Sequence, residues 1–406
     1  MEDWKEYRLG EMIQCNPQVK LEKGKSYNLI DIDSIEIGSR YVKGKELTVY
    51  DGQSGCHFQN GDTVMARITP CLENGKIAQV QCESQKGFGS TELFVFRGTE
   101  NKTDSDYVFN LMSMQFIRNL AANSMTGASG RQRADLGFIK RIKWNFPPLR
   151  TQQKIASILS AYDNLIQNYK KQIEALQTAA SELYKEWFVR FRFPGYKNSR
   201  FENGIPEGWK IERLGNLFEI TSSKRVFEED YVNEGIPFYR SKEIIELSNN
   251  QEITTELFIS NELYAKFKNK FGVPKENDIL ITSVGSIGNS YQVRKDDIFY
   301  FKDGNLTWIK SSSKKALSKY LIYWLKSDLG KNTLISSTIG TSQSALTIEK
   351  LRAIKILVPE VNILEKFEQK ISSFDIKIQI LNKQIANLTQ QRDLLLPRLM
   401  SGKLKI

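Results

Sequence analysis

Two stretches of this chain place apolar side chains seven residues apart, and the rest of the pattern is arranged around them. In the first, Ile155, Tyr162, Tyr169, Leu176 and Leu183 form one line, and Leu159, Ile166, Ile173, Ala180 and Trp187 form the other. In the second the lines are Phe367, Phe374, Leu381, Leu388 and Leu395, then Ile371, Ile378, Ile385, Arg392 and Leu399, so that only Arg392 interrupts an apolar seam. A sustained repeat of seven predicts long helices that bury this seam against another helix. Each helix is preceded by a short strand-like run closed by proline, ending at Pro147 and Pro359 respectively. Pro194-Gly195 is expected to stop the chain after the first helix, and Pro397 with Gly402 to punctuate the end of the second, whose last residues are expected to fray.

The two seams correspond one to one at a constant offset of 212 residues. The correspondence extends upstream. Trp4-Lys5-Glu6-Tyr7-Arg8-Leu9-Gly10 shares its Trp-Lys and Leu-Gly positions with Trp209-Lys210-Ile211-Glu212-Arg213-Leu214-Gly215. Asn60-Gly61-Asp62 before an apolar strand is answered by Glu276-Asn277-Asp278 before another. The chain is therefore an internal duplication. The expected domains are residues 1–150, a first long helix over 151–193, a second domain over 194–359 and a second long helix over 360–406. A helix of about 33 residues runs about 50 Å at 1.5 Å per residue, more than one small domain covers. Antiparallel pairing of the two would bury both seams and hold the domains at opposite ends.

Composition narrows the function. At 406 residues and 40% hydrophobic content the chain is a folded protein of two or more domains. It has no long apolar run, and Met1-Glu2-Asp3-Trp4-Lys5 lacks the pattern of a signal peptide, so no membrane association and a cytoplasmic setting are expected. One histidine, His57, leaves little room for the usual nucleophile–base chemistry and reads as structural or surface. Cys15, Cys56, Cys71 and Cys82 form no C-x-x-C pair and read as buried reduced thiols, so no bound metal is expected. A net charge of +11 suits a polyanion. Domains held apart by a helix pair would then touch double-stranded DNA at two places roughly 10 to 15 base pairs apart.

These features resemble the specificity subunit of type I restriction-modification systems. The resemblance spans nearly the whole chain. It is carried by the paired Trp-x-x-x-x-Leu-Gly motifs, by Pro147-Pro148-Leu149 followed by Gln152-Gln153-Lys154-Ile155, by Leu183-Tyr184-Lys185-Glu186-Trp187-Phe188, and by the final run Leu394-Leu395-Leu396-Pro397-Arg398-Leu399-Met400-Ser401-Gly402-Lys403-Leu404. Pro359-Glu360-Val361 departs from the family's usual Pro-Pro-Leu. The resemblance implies α/β (α+β) target-recognition domains, two copies in pseudo-two-fold arrangement, separated by an antiparallel coiled coil. It implies a bipartite asymmetric DNA target, two docked modification (methyltransferase) subunits, and restriction (translocase/nuclease) subunits in the full complex. It assigns no catalytic residue to this chain and places S-adenosylmethionine, ATP and Mg on the partners. In keeping with that division, Asn16-Pro17-Gln18-Val19 fails the Asn-Pro-Pro-aromatic pattern of adenine methyltransferases, and no phosphate-binding G-x-x-x-x-G-K-[ST] loop occurs.

DNA contacts are sought on loops rich in Arg, Gln, Asn and Ser, because these side chains read base edges while Lys mainly meets phosphate. The leading segment is Gly127-Ala128-Ser129-Gly130-Arg131-Gln132-Arg133, with Gly340-Thr341-Ser342-Gln343-Ser344 as its counterpart. Arg67, Thr69 and Lys76 are candidates in the first domain, as are Ser283, Ser286 and Asn289 in the second. Lys224, Arg225, Arg240, Lys242 and Lys302 are candidate phosphate contacts. Two other readings stay open: a self-contained methyltransferase or nuclease, in which Asp62, Glu73 and Glu92 would hold magnesium, and a coiled-coil scaffold that binds no DNA.

Overall fold

A computed structural model describes residues 4–127, 131–249, 253, 255–311, 313–338 and 344–406. The chain divides into two compact units, residues 1–172 with 380–406, and residues 173–379. None of the described helices is long and apolar enough to cross a membrane.

The first unit is built on a five-stranded sheet in the order Ile13–Cys15, Leu93–Gly98, Thr63–Ala66, Ile77–Val80, Tyr41–Val42. The first four strands pair antiparallel and the last joins in parallel. The three middle strands are buried on both faces, and their side chains divide with the period of two that a strand imposes. Met65, Ile77, Phe94 and Phe96 face helices Ser105–Ser113 and Gln115–Asn123. Val64, Ala66, Ala78, Val80, Leu93 and Val95 pack with Ile30 and Phe58 of a second sheet, ordered Leu47–Val49, Ser26–Ile30, Lys86–Gly89, Cys56–Gln59.

The second unit repeats this plan. Its sheet runs Glu219–Thr221, Leu306–Lys310, Ile279–Thr282, Ser290–Gln292, all antiparallel, with helices Lys315–Lys326 and Asp328–Ser336 on one face. Backbone hydrogen bonds recur at equivalent positions. Leu9 N–H donates to Ile142 O and Leu214 N–H to Ile354 O, each at 2.9 Å. Strand Lys5–Arg8 pairs with Lys143–Phe146 as Lys210–Arg213 pairs with Lys355–Val358. Among the described residues, helices Ser241–Ser248 and Asn261–Lys270 have no counterpart in the first unit.

The heptads form helices Leu149–Tyr184, extended by a π-helical turn Lys185–Val189, and Val361–Met400. Within the first unit, Ile155 and Leu159 share a core cluster with Leu399 and Met400. Within the second, Ala180, Tyr184 and Trp187 share one with Phe367 and Ile371. The start of one helix thus packs with the end of the other in each unit, which is antiparallel pairing. Every seam position is buried or half-buried: Ile155, Leu159, Tyr162, Ile166, Tyr169, Ile173, Leu176, Leu183 and Trp187, then Phe367, Ile371, Phe374, Ile378, Leu381, Ile385, Leu388 and Leu395. The expected fraying after Pro397 does not occur. The helix continues to Met400 because Leu399 and Met400 are buried in the first unit's core, and Gly402 at φ +70 then ends it.

Arg392, which breaks the seam, is bonded to Asp163 at 2.8 Å. Asp163 also meets Arg40 at 3.2 Å, and Arg40 donates to Gln79 Oε1 and Ser160 Oγ. Asp163 and Arg40 are almost wholly buried, and Asp106 on Arg40 at 2.9 Å and Asp393 on Arg392 at 2.8 Å complete the pairing of the two cations. The second unit has a counterpart: Lys319 is held by Gln292 Oε1 at 2.5 Å and by Asp375, the residue 212 positions after Asp163, at 2.8 Å. Gln79 and Gln292 are themselves equivalent, paired with Thr63 and Ile279. A cation clamped between a strand glutamine and a helix aspartate therefore fastens each long helix to its own unit.

Candidate nucleic-acid interface

In the first unit, the turn after strand Thr63–Ala66 and the segment around residue 132 are far apart in sequence, and the fold lays them together. Thr69 N–H donates to Gln132 O at 3.0 Å, and Gln132 N–H donates to Thr69 Oγ1 at 3.2 Å. Arg133 bridges to Ile68, and Ala134 N–H donates to Arg67 O at 2.8 Å. Four candidates, Arg67, Thr69, Gln132 and Arg133, thus sit on one small surface, with Arg131 exposed beside them. Residues 128–130 of the same loop lie outside the described residues.

The charges on this surface are organised. Arg133 grips both carboxylate oxygens of Glu92, Nε at 2.9 and 3.0 Å and Nη2 at 2.6 Å. The bond from Arg133, the largest influence on it, holds the Glu92 carboxyl below its ordinary value, with the Arg67 charge adding to the effect. The Arg67 guanidinium stacks over the Phe94 ring at 4.9 Å, and its Nε is buried without a hydrogen-bond partner. Lys76 does not join them. Its ammonium donates to Ile32 O at 3.0 Å and lies 3.5 Å from Asp33, so it braces a neighbouring loop.

In the second unit, Ser283 occupies the place of Arg67: its N–H donates to Asn305 O as that of Arg67 does to Glu92 O, and its carbonyl accepts from Leu346 N–H. The expectation that Ser283 reads a base is corrected here, because its hydroxyl is buried and bonded to Thr307 Oγ1 at 2.6 Å. Ser286 is exposed at the tip of the following turn. Asn289 closes that turn through Nδ2 to Ser286 O at 2.8 Å. Ser342 and Gln343 lie outside the described residues.

The basic candidates of this unit gather about strands Ile236–Tyr239 and Tyr300–Phe301. Lys224 N–H donates to Tyr300 Oη, and its ammonium lies over Phe271. Arg225 pairs with Asp303 at 2.9 Å. Lys302 N–H donates to Tyr239 O. Arg240 pairs with the fully buried Glu243, and Lys242 approaches Glu246 at 3.8 Å. The turn 302–305 joins this basic neighbourhood to Asn305 and the Ser283 turn.

The sequence offers Glu92 only as a magnesium ligand and passes over Asn305. An acid among candidate base-reading residues is against expectation, and Asn305 stands in no motif. Sliding one copy against the other would have aligned them, 213 residues apart. The proposed magnesium carboxylates are not brought together: Asp62 is bonded to Arg97 at 2.6 and 2.7 Å and Glu92 to Arg133. Among the described residues no three His, Cys, Asp or Glu side chains form a group able to hold a metal. The thiols are free. Only Cys82 is fully buried and the other three are half-buried, which corrects the expectation of four buried groups. His57 is structural, bonded to Tyr50 Oη and Val19 O.

Comparison with known proteins agrees with this architecture. The model of the type I restriction modification DNA specificity domain matches residues 1–178 and again 206–390. The type I restriction enzyme MjaIX specificity subunit of Methanocaldococcus jannaschii is 30% identical over 310 residues, covering 74% of this chain and 69% of its own. The MjaVIII specificity subunit of the same organism is 25% identical over 100% of this chain and 94% of its own. Among solved structures, the type I restriction-modification S subunit from M. genitalium shares the fold, with a TM-score of 0.54 at 17% identity over 98% of this chain and 96% of that one.

Proposed function

Because the chain belongs to the family of type I restriction-modification specificity subunits, we propose that each of its two units reads one half of a bipartite, asymmetric DNA target. The observation that carries this reading is the repeated backbone frame with different side chains on it: Ile68 bridges Arg133 in one unit as Val284 bridges Ala345 in the other. One frame used twice supports two docking sites of the same kind, and different side chains support two different sequences. The paired helices set the spacing between half-sites and dock two modification subunits. The chain itself is non-catalytic and cytoplasmic. Methyl transfer from S-adenosylmethionine belongs to the modification subunits, and ATP- and Mg-dependent translocation and cleavage belong to the restriction subunits.

The test is to map methylated adenines in host DNA with and without this chain. A motif of two short parts with an unspecified gap, lost on deletion, supports the reading. Methylation or cleavage of DNA by the purified chain alone would favour a self-contained enzyme instead. Within the motif, Arg131→Ala should relax one part only, by about 1 to 3 kcal/mol.

A further inference from the structure

At four matched positions the two units carry opposite chemistry on one frame. The shared hydrogen bonds and strand registers set Arg67 against Ser283, Glu92 against Asn305, Phe94 against Thr307 and Arg133 against Ala345. In the first unit the Arg67 guanidinium makes no hydrogen bond to any described residue, although its Nε is buried and its plane is fixed on Phe94. Its Nη1 and Nη2 bond no described residue and are not shut off from the surface, so the outer edge of the guanidinium is free to take acceptors. Glu92 fixes the Nε/Nη2 edge of Arg133 and leaves its Nη1 unbonded among the described residues. The second unit has no cation at these positions. Ser283 and Thr307 satisfy each other, and the half-buried Asn305 keeps a side-chain amide that bonds no described residue.

The chemistry of base edges separates these two sets. A guanidinium fork matches O6 and N7 of guanine, whereas a carboxamide matches N6 and N7 of adenine. A fork already held against a ring loses little freedom on binding. We propose that the two half-sites differ in base class: the first unit selects a G·C pair through Arg67, with the Glu92–Arg133 clamp positioning a second fork, and the second unit selects an A·T pair through Asn305. This assignment rests on the DNA-reading function proposed above.

The experiment is selection from a randomised duplex library by the full chain assembled with its two modification subunits at one fixed salt concentration, followed by sequencing. The native complex should return a motif with a G·C position in one part and an A·T position in the other. Arg67→Ala should lower the preference at that G·C position roughly 5- to 150-fold and leave the other part intact. Asn305→Ala should do the converse. Arg67→Lys, which keeps the charge and loses the planar fork, should weaken the same preference less than Arg67→Ala does while overall binding is kept, so that a folding defect in the alanine variant does not decide the matter. A two-part motif unmoved by these changes, or weakened equally on every sequence, overturns the base assignment and leaves the function standing. A selection that returns no motif, or a single uninterrupted one, overturns the function itself.

Discussion

Glu92 and Arg133 show how a single ion pair ties the candidate surface to pH. The Glu92 carboxyl is held below its ordinary value of 4.5 chiefly by the bond from Arg133. A carboxyl depressed in the folded state contributes stability that is present above its unfolded value and is lost as pH falls through the folded one. The difference in unfolding free energy between the native chain and Glu92→Gln should therefore be complete at neutral pH and close as pH drops below about 4.5. Denaturant titrations at a series of pH values check this, and a gap that persists in acid contradicts it. Burial pushes the Cys56 thiol up to about 12 and those of Cys15 and Cys82 to about 11. At pH 8 these three should alkylate far more slowly in the native chain than after unfolding, which mass spectrometry of the labelled peptides reads directly. At this scale sequence reasoning singled out Arg67, Thr69, Gln132 and Arg133 because their residue types suit base edges, and the fold lays the four together. It offered Glu92 only as a magnesium ligand and passed over Asn305, because their placement beside these residues depends on which strand the fold sets there.

The two long helices were the most legible elements, since a repeat of seven survives without any knowledge of the surrounding fold. All seam positions are covered, and the lone polar member carries information as well. Arg392 looks like a flaw in an apolar line until Asp163 and Arg40 are seen beside it. Arg40 could not be anticipated, because it reaches the helix from a loop more than a hundred residues away in sequence. Removing Asp163 takes the shared acceptor from both cations but leaves Arg40 with Asp106 and Arg392 with Asp393, so Asp163→Ala should destabilise the first unit by about 1 to 3 kcal/mol. Arg392→Leu restores the apolar seam and leaves Asp163 with Arg40, so its effect should be about 1 kcal/mol or less. Chemical denaturation of the two variants tests the difference. Equal losses would mean that Arg392, not Arg40, neutralises Asp163.

For the whole molecule, the duplication was readable from paired motifs, but which distant segments pack together was not. The units cut through both helices, and the first is completed by residues 380–406, where Leu399 and Met400 lie in the same core as Leu9, Ile13 and Tyr107. Local patterning does not reveal which distant segment closes a core. Deleting residues 393–406 should therefore loosen strands Thr63–Ala66 and Leu93–Gly98 and leave Ile279–Thr282 and Leu306–Lys310 protected, as measured by amide hydrogen exchange. The central claim, that one frame used twice reads two separate tracts, is tested most directly by missing-base interference on a target duplex bound by the chain with its modification subunits. Two clusters of required bases separated by tolerated ones are predicted, with Arg67→Ala relieving one cluster and Asn305→Ala the other. A single continuous cluster, or one cluster relieved by both changes, would contradict it.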